Sequence, residues 1–256
     1  YAVLSEHQLE QIHLAALEVL RSIGIRFHHQ GALKMLKEAG AFISDQNLVK
    51  FPARLVQDAL ASAPDRVIMC DRDGKAAVFL EDSKVNFGTG SDCINLLDYK
   101  TGQHRKFTKN DIIEGYRLCD ALPNIDFVMS IGIPDDVDPD LAYDTQMALM
   151  LEHTTKPIVF VTNDLASCQR AIDMAAVVAG GYEALREQQH ILLYSEPSSP
   201  LQQSETAVDK LLLMAEYELP VVHSPAPLMG GTGPISMASG LAMSVAEILS
   251  SLVVHQ

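Results

Sequence analysis

The chain has 256 residues, room for one large domain or two small ones, and 48% of them are apolar, enough to bury a sizeable core. Its 33 acidic against 19 basic residues give a formal charge of −14, which argues against nucleic acid, whose binders carry a basic stripe, and against an anionic membrane surface. Four scattered cysteines, Cys70, Cys93, Cys119 and Cys168, form no CxxC or Cys/His cluster, so neither a zinc site nor a redox pair is indicated and a reducing cytoplasm is expected.

Residues 5–24 read as an amphipathic helix. Ser5 with Gln8 makes a capping box, Leu9, Ile12, Ala16, Val19, Leu20 and Ile23 share a face, and Gly24 ends it. Short helices follow over 32–39 and after Pro52, then short strands over 66–70 and 76–80. Residues 1–84 are therefore expected to form an N-terminal helical subdomain. No signal peptide or transmembrane run is read, and the start at Tyr1 rather than a methionine points to a trimmed N-terminus.

From residue 85 the pattern becomes strand, loop, helix, repeated. Strands are predicted over 85–89, 127–131, 158–162, 191–195 and 221–224. The later ones recur at roughly the 30-residue spacing of a βαβ unit. The longer first interval holds a predicted hairpin over 93–107, turning at Lys100-Thr101-Gly102. Thr108 with Asp111 caps the next helix, and Asp138-Pro139 opens another with proline at the first helical position. Further helices are predicted over 166–178, 204–218 and 236–254. Continuous apolar runs such as Ile158-Val159-Phe160-Val161 suit parallel strands covered on both faces. The class is α/β, and two architectures compete: a doubly wound sheet of five strands, or part of a (β/α)8 barrel.

Residues 221–240, VVHSPAPLMGGTGPISMASG, stand out. They read as a strand, a Pro- and Gly-rich loop and a helix start. Gly230, Gly231 and Gly233 permit a tight turn, and the following helix start favours negative charge. In a barrel, function sits where the strands end. Here those ends read GTGSD (88–92), SIGI (130–133), TND (162–164), SEP (195–197) and HSP (223–225), small or polar throughout, as a substrate pocket requires. Their meeting at a single rim is the expectation.

Four stretches carry a resemblance. VNFGTGSD (85–92), SEPSSPL (195–201), HSPAPLMGGTGPIS (223–236) and the N-terminal LSEHQLEQIHLAALEVLRSIGIRF (4–27) resemble the trimethylamine methyltransferase family, in order along essentially the whole chain. The resemblance implies a (β/α)8 barrel that demethylates methylated amines. Some members use pyrrolysine and act on trimethylamine; others act on quaternary amines such as glycine betaine. The methyl group passes to the Co(I) corrinoid (cobalamin) of a separate corrinoid protein, which makes that protein and a small methylated amine the implied partners. A homo-oligomer is expected, with no metal bound by this chain. Family members are much longer, so this chain should hold five βα units, with three more, on the order of 90 residues, needed toward the ~250 of a complete barrel.

Asp92 and Glu196 are the candidate carboxylates for a substituted ammonium, whose quaternary form offers charge but no N–H, so aromatic faces share the work. Phe87 and Tyr194 are the candidate faces. The alternative for each carboxylate is a helix cap or a solvated loop charge. Asn163 is a candidate contact, with the competing reading that Asn163 and Asp164 cap a helix. His223 is either a ligand hydrogen-bonder or a satisfied core histidine. Gly230, Gly231, Thr232 and Gly233 are the candidate cofactor-binding loop, for the corrinoid or for a betaine carboxylate. No phosphate-binding loop, nucleophile elbow, HExxH or D-x-H-x-x-G occurs, Gly231-Thr232-Gly233 lacks the third glycine of a dinucleotide fingerprint, and adjacent His28-His29 do not make a metal site. Two other function classes remain. A barrel lyase or aldolase would usually place a lysine on a strand, and the five predicted strands carry none. A non-catalytic quaternary-amine binder or an inactive fragment is the other.

Overall fold

The computed structural model describes residues 2–256. Local chemistry sets the first elements. Helix α1 (Glu6–Glu18) starts at the reciprocal Ser5/Gln8 capping box and runs into a π turn, Val19–Ile23, that ends at Gly24. Strand β1 (Ile25–Phe27) alternates buried, exposed, buried, the period a pleat imposes. In α2 (Gln30–Glu38) the His29 side chain accepts the Ala32 N–H, so one of the adjacent histidines is a helix cap. Strands β2 (Phe42–Ser44) and β3 (Leu48–Lys50) and helix α3 (Ala53–Ser62) follow. The hairpin β4 (Val67–Cys70) and β5 (Ala76–Leu80) matches expectation, as does the hairpin β6 (Asn95–Leu97) and β7 (His104–Lys106).

Helix α4 (Lys109–Ala121) carries the predicted Thr108/Asp111 capping box. Then come β8 (Val128–Met129), a 3-10 turn at Pro139–Leu141 capped by Asp138, α5 (Ala142–His153), β9 (Ile158–Phe160), α6 (Leu165–Ala179), α7 (Tyr182–Glu187), β10 (Ile191–Ser195), β11 (Gln202–Gln203), α8 (Glu205–Glu216), β12 (Val221–His223) and α9 (Met237–His255). Four strands (β1, β2, β3 and β11) and α7 were not foreseen. The predicted strand over 85–89 is corrected: it contributes only a parallel bridge, Gly88 to Phe127. The Thr89 hydroxyl takes the Met129 N–H at 2.7 Å and donates to the Met129 carbonyl at 3.2 Å, so a side chain replaces the ladder bonds beyond that bridge.

The residues divide into two compact units, Tyr1–Pro64 with Ser195–Ala215 and His223–Gln256, and Asp65–Tyr194 with Glu216–Val222. This cuts across the expected boundary at residue 84. The cause in the first unit is long-range pairing. Its sheet runs β11-β1-β3-β2, with β1 parallel to β11 (Arg26 opposite Gln202) and antiparallel to β3 (Ile25 opposite Val49). Helix α9 packs on α1 and α3 over a core that includes Leu20, Phe27, Leu36, Phe51, Val56, Leu249 and Val253. Each fully buried aliphatic chain there contributes about 1.5–3 kcal/mol. Helix α9 is also long and apolar enough to cross a membrane by length and composition, a run not expected above, yet 56% of its apolar window is buried. That is how the core helix of a compact unit reads.

The second unit is an α/β arrangement. Its sheet runs β12-β10-β9-β8, with β8, β9 and β10 parallel. Val128 sits opposite Ile158, and Ile158 opposite Ile191. Parallel neighbours need crossover helices. Here α4 packs on α5, α5 on α6, and α6 on α7. Met69, Val78, Val159 and Leu192 form a core cluster with Phe127, Met129 and Tyr194 against it.

Candidate functional site

In the second unit the polar groups gather where residues 88–93 run beside the end of β8. Asp92 N–H donates to the Ser130 carbonyl at 2.7 Å, and Ser130 Oγ donates back to Asp92 Oδ1 at 2.6 Å. The pair holds Asp92 at φ 54°, a left-handed conformation that Asp tolerates better than most residues. Burial raises the Asp92 carboxyl above its ordinary value, with the Ser130 bond opposing. Tyr116 is buried under this corner, and its hydroxyl accepts the Ile131 N–H at 3.4 Å. Burial and the nearby Asp92 charge push both Tyr116 and Tyr143 upward, so both phenols stay protonated. Gln146, one turn beyond Tyr143 on α5, donates to the Gly132 carbonyl at 2.5 Å. That bond leaves its buried Oε1 without a partner.

In the first unit the exit from β10, the end of β12 and α9 build a second polar assembly. Glu247 is fully buried, and its carboxylate accepts Ser199 Oγ at 2.8 Å and Leu201 N–H at 2.6 Å. Burial raises its pKa, opposed by those two donors. Gln203, also fully buried, donates through Nε2 to Ser251 Oγ at 2.7 Å and Ser250 Oγ at 3.2 Å. Its Oε1 lies 3.2 Å from His223 Nε2. Burial, Lys210 and His255 hold His223 down at about 4, so the ring is neutral at physiological pH.

The Gly-rich turn differs from the expectation of free amides. Gly230 N–H donates to the Gly233 carbonyl, and Gly231 and Gly233 N–H both donate to the Leu228 carbonyl, at 2.9–3.0 Å. Leu228 N–H donates to Thr232 Oγ1 at 2.9 Å. With its amides committed internally, the turn is not an anion cradle. What it shows outward is apolar: Leu228 is 71% exposed, Ile235 87% and Met237 78%. Beside it, in the same unit, an apolar groove of about 610 Å³ is lined by Ile12, Val19, Leu201, Pro234, Ala242 and Met243.

The remaining predicted residues are placed plainly. Phe87 has an exposed side chain and a backbone N–H tied to Asp126 at 2.7 Å. Asn163 is exposed, while its neighbour Asp164 caps α6 by accepting Ser167 N–H. Tyr194 is partly buried against the second unit's core. Glu196 is exposed. Sequence reasoning placed Ser130 at a strand end without singling it out, and missed Tyr116, Tyr143 and Gln146, and also Ser199, Gln203, Glu247, Ser250 and Ser251. One signal was available: Glu247 is the one Asp, Glu, Lys or Arg in the apolar run of α9. A lone charge there is explained by a buried partner or a site.

A family model described as trimethylamine methyltransferase (MTTB) matches residues 1–256. The trimethylamine methyltransferase MttB of Desulfitobacterium hafniense (strain DSM 10664 / DCB-2) is 30% identical over 256 residues, covering 100% of this chain and 52% of that protein. The MttB of Methanosarcina barkeri (strain Fusaro / DSM 804) is 30% identical, covering 97% of this chain and 52% of that protein. The glycine betaine methyltransferase of Desulfitobacterium hafniense (strain Y51) is 24% identical, covering 100% and 53%. The chain thus spans about half the length of the curated relatives it matches. The crystal structure of the Methanosarcina barkeri monomethylamine methyltransferase (MtmB) is similar with a TM-score of 0.60 at 13% identity, over 97% of this chain and 57% of that one, which bears on fold alone. A match that runs from the first residue to the last, through both compact units, places the chain in the trimethylamine methyltransferase family.

Proposed function

We propose that this chain is the N-terminal portion of a methyltransferase that moves a methyl group from a methylated amine, of trimethylamine or glycine betaine type, to the Co(I) corrinoid of a separate corrinoid protein. The observation that carries the reading is the end-to-end family match, shared with relatives named for both substrates. The fold supports the barrel part of the proposal. Gly88 bridges Phe127, and β8, β9, β10 and β12 then neighbour one another in sequence order. A barrel is wound that way, whereas a doubly wound sheet reverses its order at a switch point.

In this reading Asp92, with one oxygen on Ser130 and the other uncommitted, supplies charge to an ammonium group in the second unit. The Gly230–Gly233 turn, with exposed Leu228, Ile235 and Met237 beside it, fits the broad face of a macrocycle that must approach bare backbone. Held on its own protein, the corrinoid supplies the nucleophile that accepts the methyl. This chain's work is to bind the amine, align the C–N bond and exclude water. A quaternary substrate leaves as a neutral tertiary amine and needs no acid; trimethylamine needs additional activation.

The test is full-length protein mixed with Co(I) cobalamin and a panel of trimethylamine, glycine betaine and carnitine, followed by the methylcobalamin spectrum. Methylcobalamin with one of them is the expected result. Calorimetric binding without methyl transfer would support the non-catalytic binder instead, and neither signal with any amine would remove the amine reading.

A further inference from the structure

Asp92 is a half-buried carboxylate that no lysine, arginine or histidine pairs among the described residues; burial and the Ser130 hydroxyl are what act on it. Other aspartates of the second unit are served differently. Asp98 and Asp111 share Arg105, and Asp144 holds Arg170. A carboxylate drawn out of water is costly unless a charge or donors answer it. For Asp92 the answer is one-sided: Ser130 Oγ donates to Oδ1, and Oδ2 has no hydrogen-bond partner among the described residues. The backbone on either side is fixed. Asp92 N–H is spent on the Ser130 carbonyl, Cys93 bridges Gly132, and Ile133 N–H donates to the Cys93 carbonyl at 3.0 Å.

Over the same corner lies the first part of α5. Gln146 fastens one face of that helix to the Gly132 carbonyl, and Tyr143, three residues earlier, shares the face. The Tyr143 phenol feels the Asp92 charge and stays protonated, so it brings an aromatic ring without a second negative charge. Its hydroxyl, too, has no hydrogen-bond partner among the described residues. Solvent reaches both groups. Asp92 and Tyr143 are half-buried, and it is Gln146 Oε1 that is sealed in this corner without a partner. A small cation arriving from solvent therefore meets a bare carboxylate oxygen and a neutral aromatic side chain within one unit.

We propose that Tyr143 is a substrate-contacting, specificity-determining residue: its ring packs against the N-methyl groups of a methylated ammonium whose charge Asp92 balances. This deepens the methylated-amine reading and rests on it for the identity of the ligand. The carboxylate alone does not separate ammonium from its methylated forms, since all carry the same charge. A ring face does, because a quaternary cation holds its water weakly and gives it up for the ring, whereas bare ammonium keeps its four N–H groups on water.

The experiment titrates full-length wild type, Tyr143→Phe and Tyr143→Leu with tetramethylammonium chloride and with ammonium chloride in a calorimeter, after thermal melting has shown that both variants fold. Tyr143→Phe keeps the ring and should bind tetramethylammonium within about twofold of wild type. Tyr143→Leu should bind it about fivefold more weakly, roughly 1 kcal/mol, and lose its preference over ammonium by the same factor. A second readout belongs to a ring alone: the methyl protons of bound tetramethylammonium should move upfield in wild type and Tyr143→Phe, and not in Tyr143→Leu. Equal affinity of wild type and Tyr143→Leu, or no upfield shift in wild type, overturns the ring contact. A loss in Tyr143→Phe as large as in Tyr143→Leu overturns it as well, because the hydroxyl would then be the contact. Absence of methyl transfer to Co(I) cobalamin from every amine, with this binding pattern intact, would strike the proposed function and leave the Tyr143 assignment standing; methyl transfer with binding indifferent to Tyr143 would do the reverse.

Discussion

Gly132 offers a direct test of how the second unit's polar corner is held. A Cβ built on Gly132 would stand 2.5, 2.6 and 2.7 Å from three ring atoms of Phe107, and Phe107 is itself buried. The Gly132 carbonyl meanwhile receives Gln146, and its backbone bridges Cys93, so neither side can yield freely. Gly132→Ala thus forces the ring aside. Overpacking of this kind costs about 1–3 kcal/mol, offset by about 0.4–1 kcal/mol from the reduced freedom of the unfolded chain. The net loss is on the order of 1–2 kcal/mol, a fall of about 2–8 °C in melting temperature for a chain of this size. Phe107→Ala alone should cost about 3–5 kcal/mol through the cavity it leaves. In the double variant the clash has no partner, so its cost should fall short of the sum of the singles by about 1–3 kcal/mol. Urea unfolding of the four proteins measures the cycle. Additivity within about 0.5 kcal/mol would mean that the ring does not abut Gly132, and the packing argument for this corner would be wrong.

Three further outcomes are expected. Arg105 makes a two-pronged contact to Asp111, the N3 member of the Thr108 capping box, at 2.6 and 2.7 Å and holds that carboxyl well below its usual range; Asp111→Asn should therefore cost about 0.2–1 kcal/mol at neutral pH through the lost ion pair. Because the folded-state pKa is depressed, the gap from wild type should be full above 3.8 and close as the pH falls below it, read by urea midpoints from pH 7 to pH 2. Glu247 has the opposite sign: its pKa is raised from 4.5, so ionisation costs the folded state more. The Gln variant can still present oxygen to Leu201 N–H, so Glu247→Gln should gain on wild type as the pH rises above 4.5 and show no such gain below it, and a pH-independent difference would contradict the assigned burial. Asp92→Asn keeps an acceptor for Ser130 and a residue tolerant of φ 54°, so the full-length variant should melt no lower than wild type. Its affinity for trimethylammonium and tetramethylammonium alike should fall about tenfold, roughly 1.4 kcal/mol. Unchanged calorimetric affinity for both would remove Asp92 from the substrate site.

Local chemistry was readable directly. The capping boxes at Ser5 and Thr108, the Asp138-Pro139 helix entry and the stop at Gly24 all involve groups within a turn of one another, so residue order alone determines them. The apolar runs of β9 and β10 likewise announced parallel strands, because a strand covered on both faces has no polar period to show. The family was legible for a different reason: its motifs are contiguous.

The rest depends on residues far apart in the chain. Val85 and Phe87 have strand-like chemistry, yet the segment forms a single bridge because the Thr89 hydroxyl takes the Met129 backbone groups that a ladder would use. Arg26 pairs with Gln202, two short polar-containing segments with no periodicity to advertise them. Three glycines suggested open amides; the turn closed them on Leu228 and Gly233, since an N–H seeks the nearest carbonyl and only the folded backbone says which one that is. The Glu247, Gln203 and His223 assembly joins α9, β11 and β12. Glu247 is a lone charge in an apolar run, Gln203 lies in a strand that was not foreseen, and His223 read as either a ligand hydrogen-bonder or a core histidine. Composition and order determined the capped helices and the apolar parallel strands, because those rest on neighbours in sequence; the tertiary structure decided which short segments pair as strands and which buried donor meets which acceptor, because a hydrogen bond is sensitive to tenths of an ångström that no residue spacing encodes.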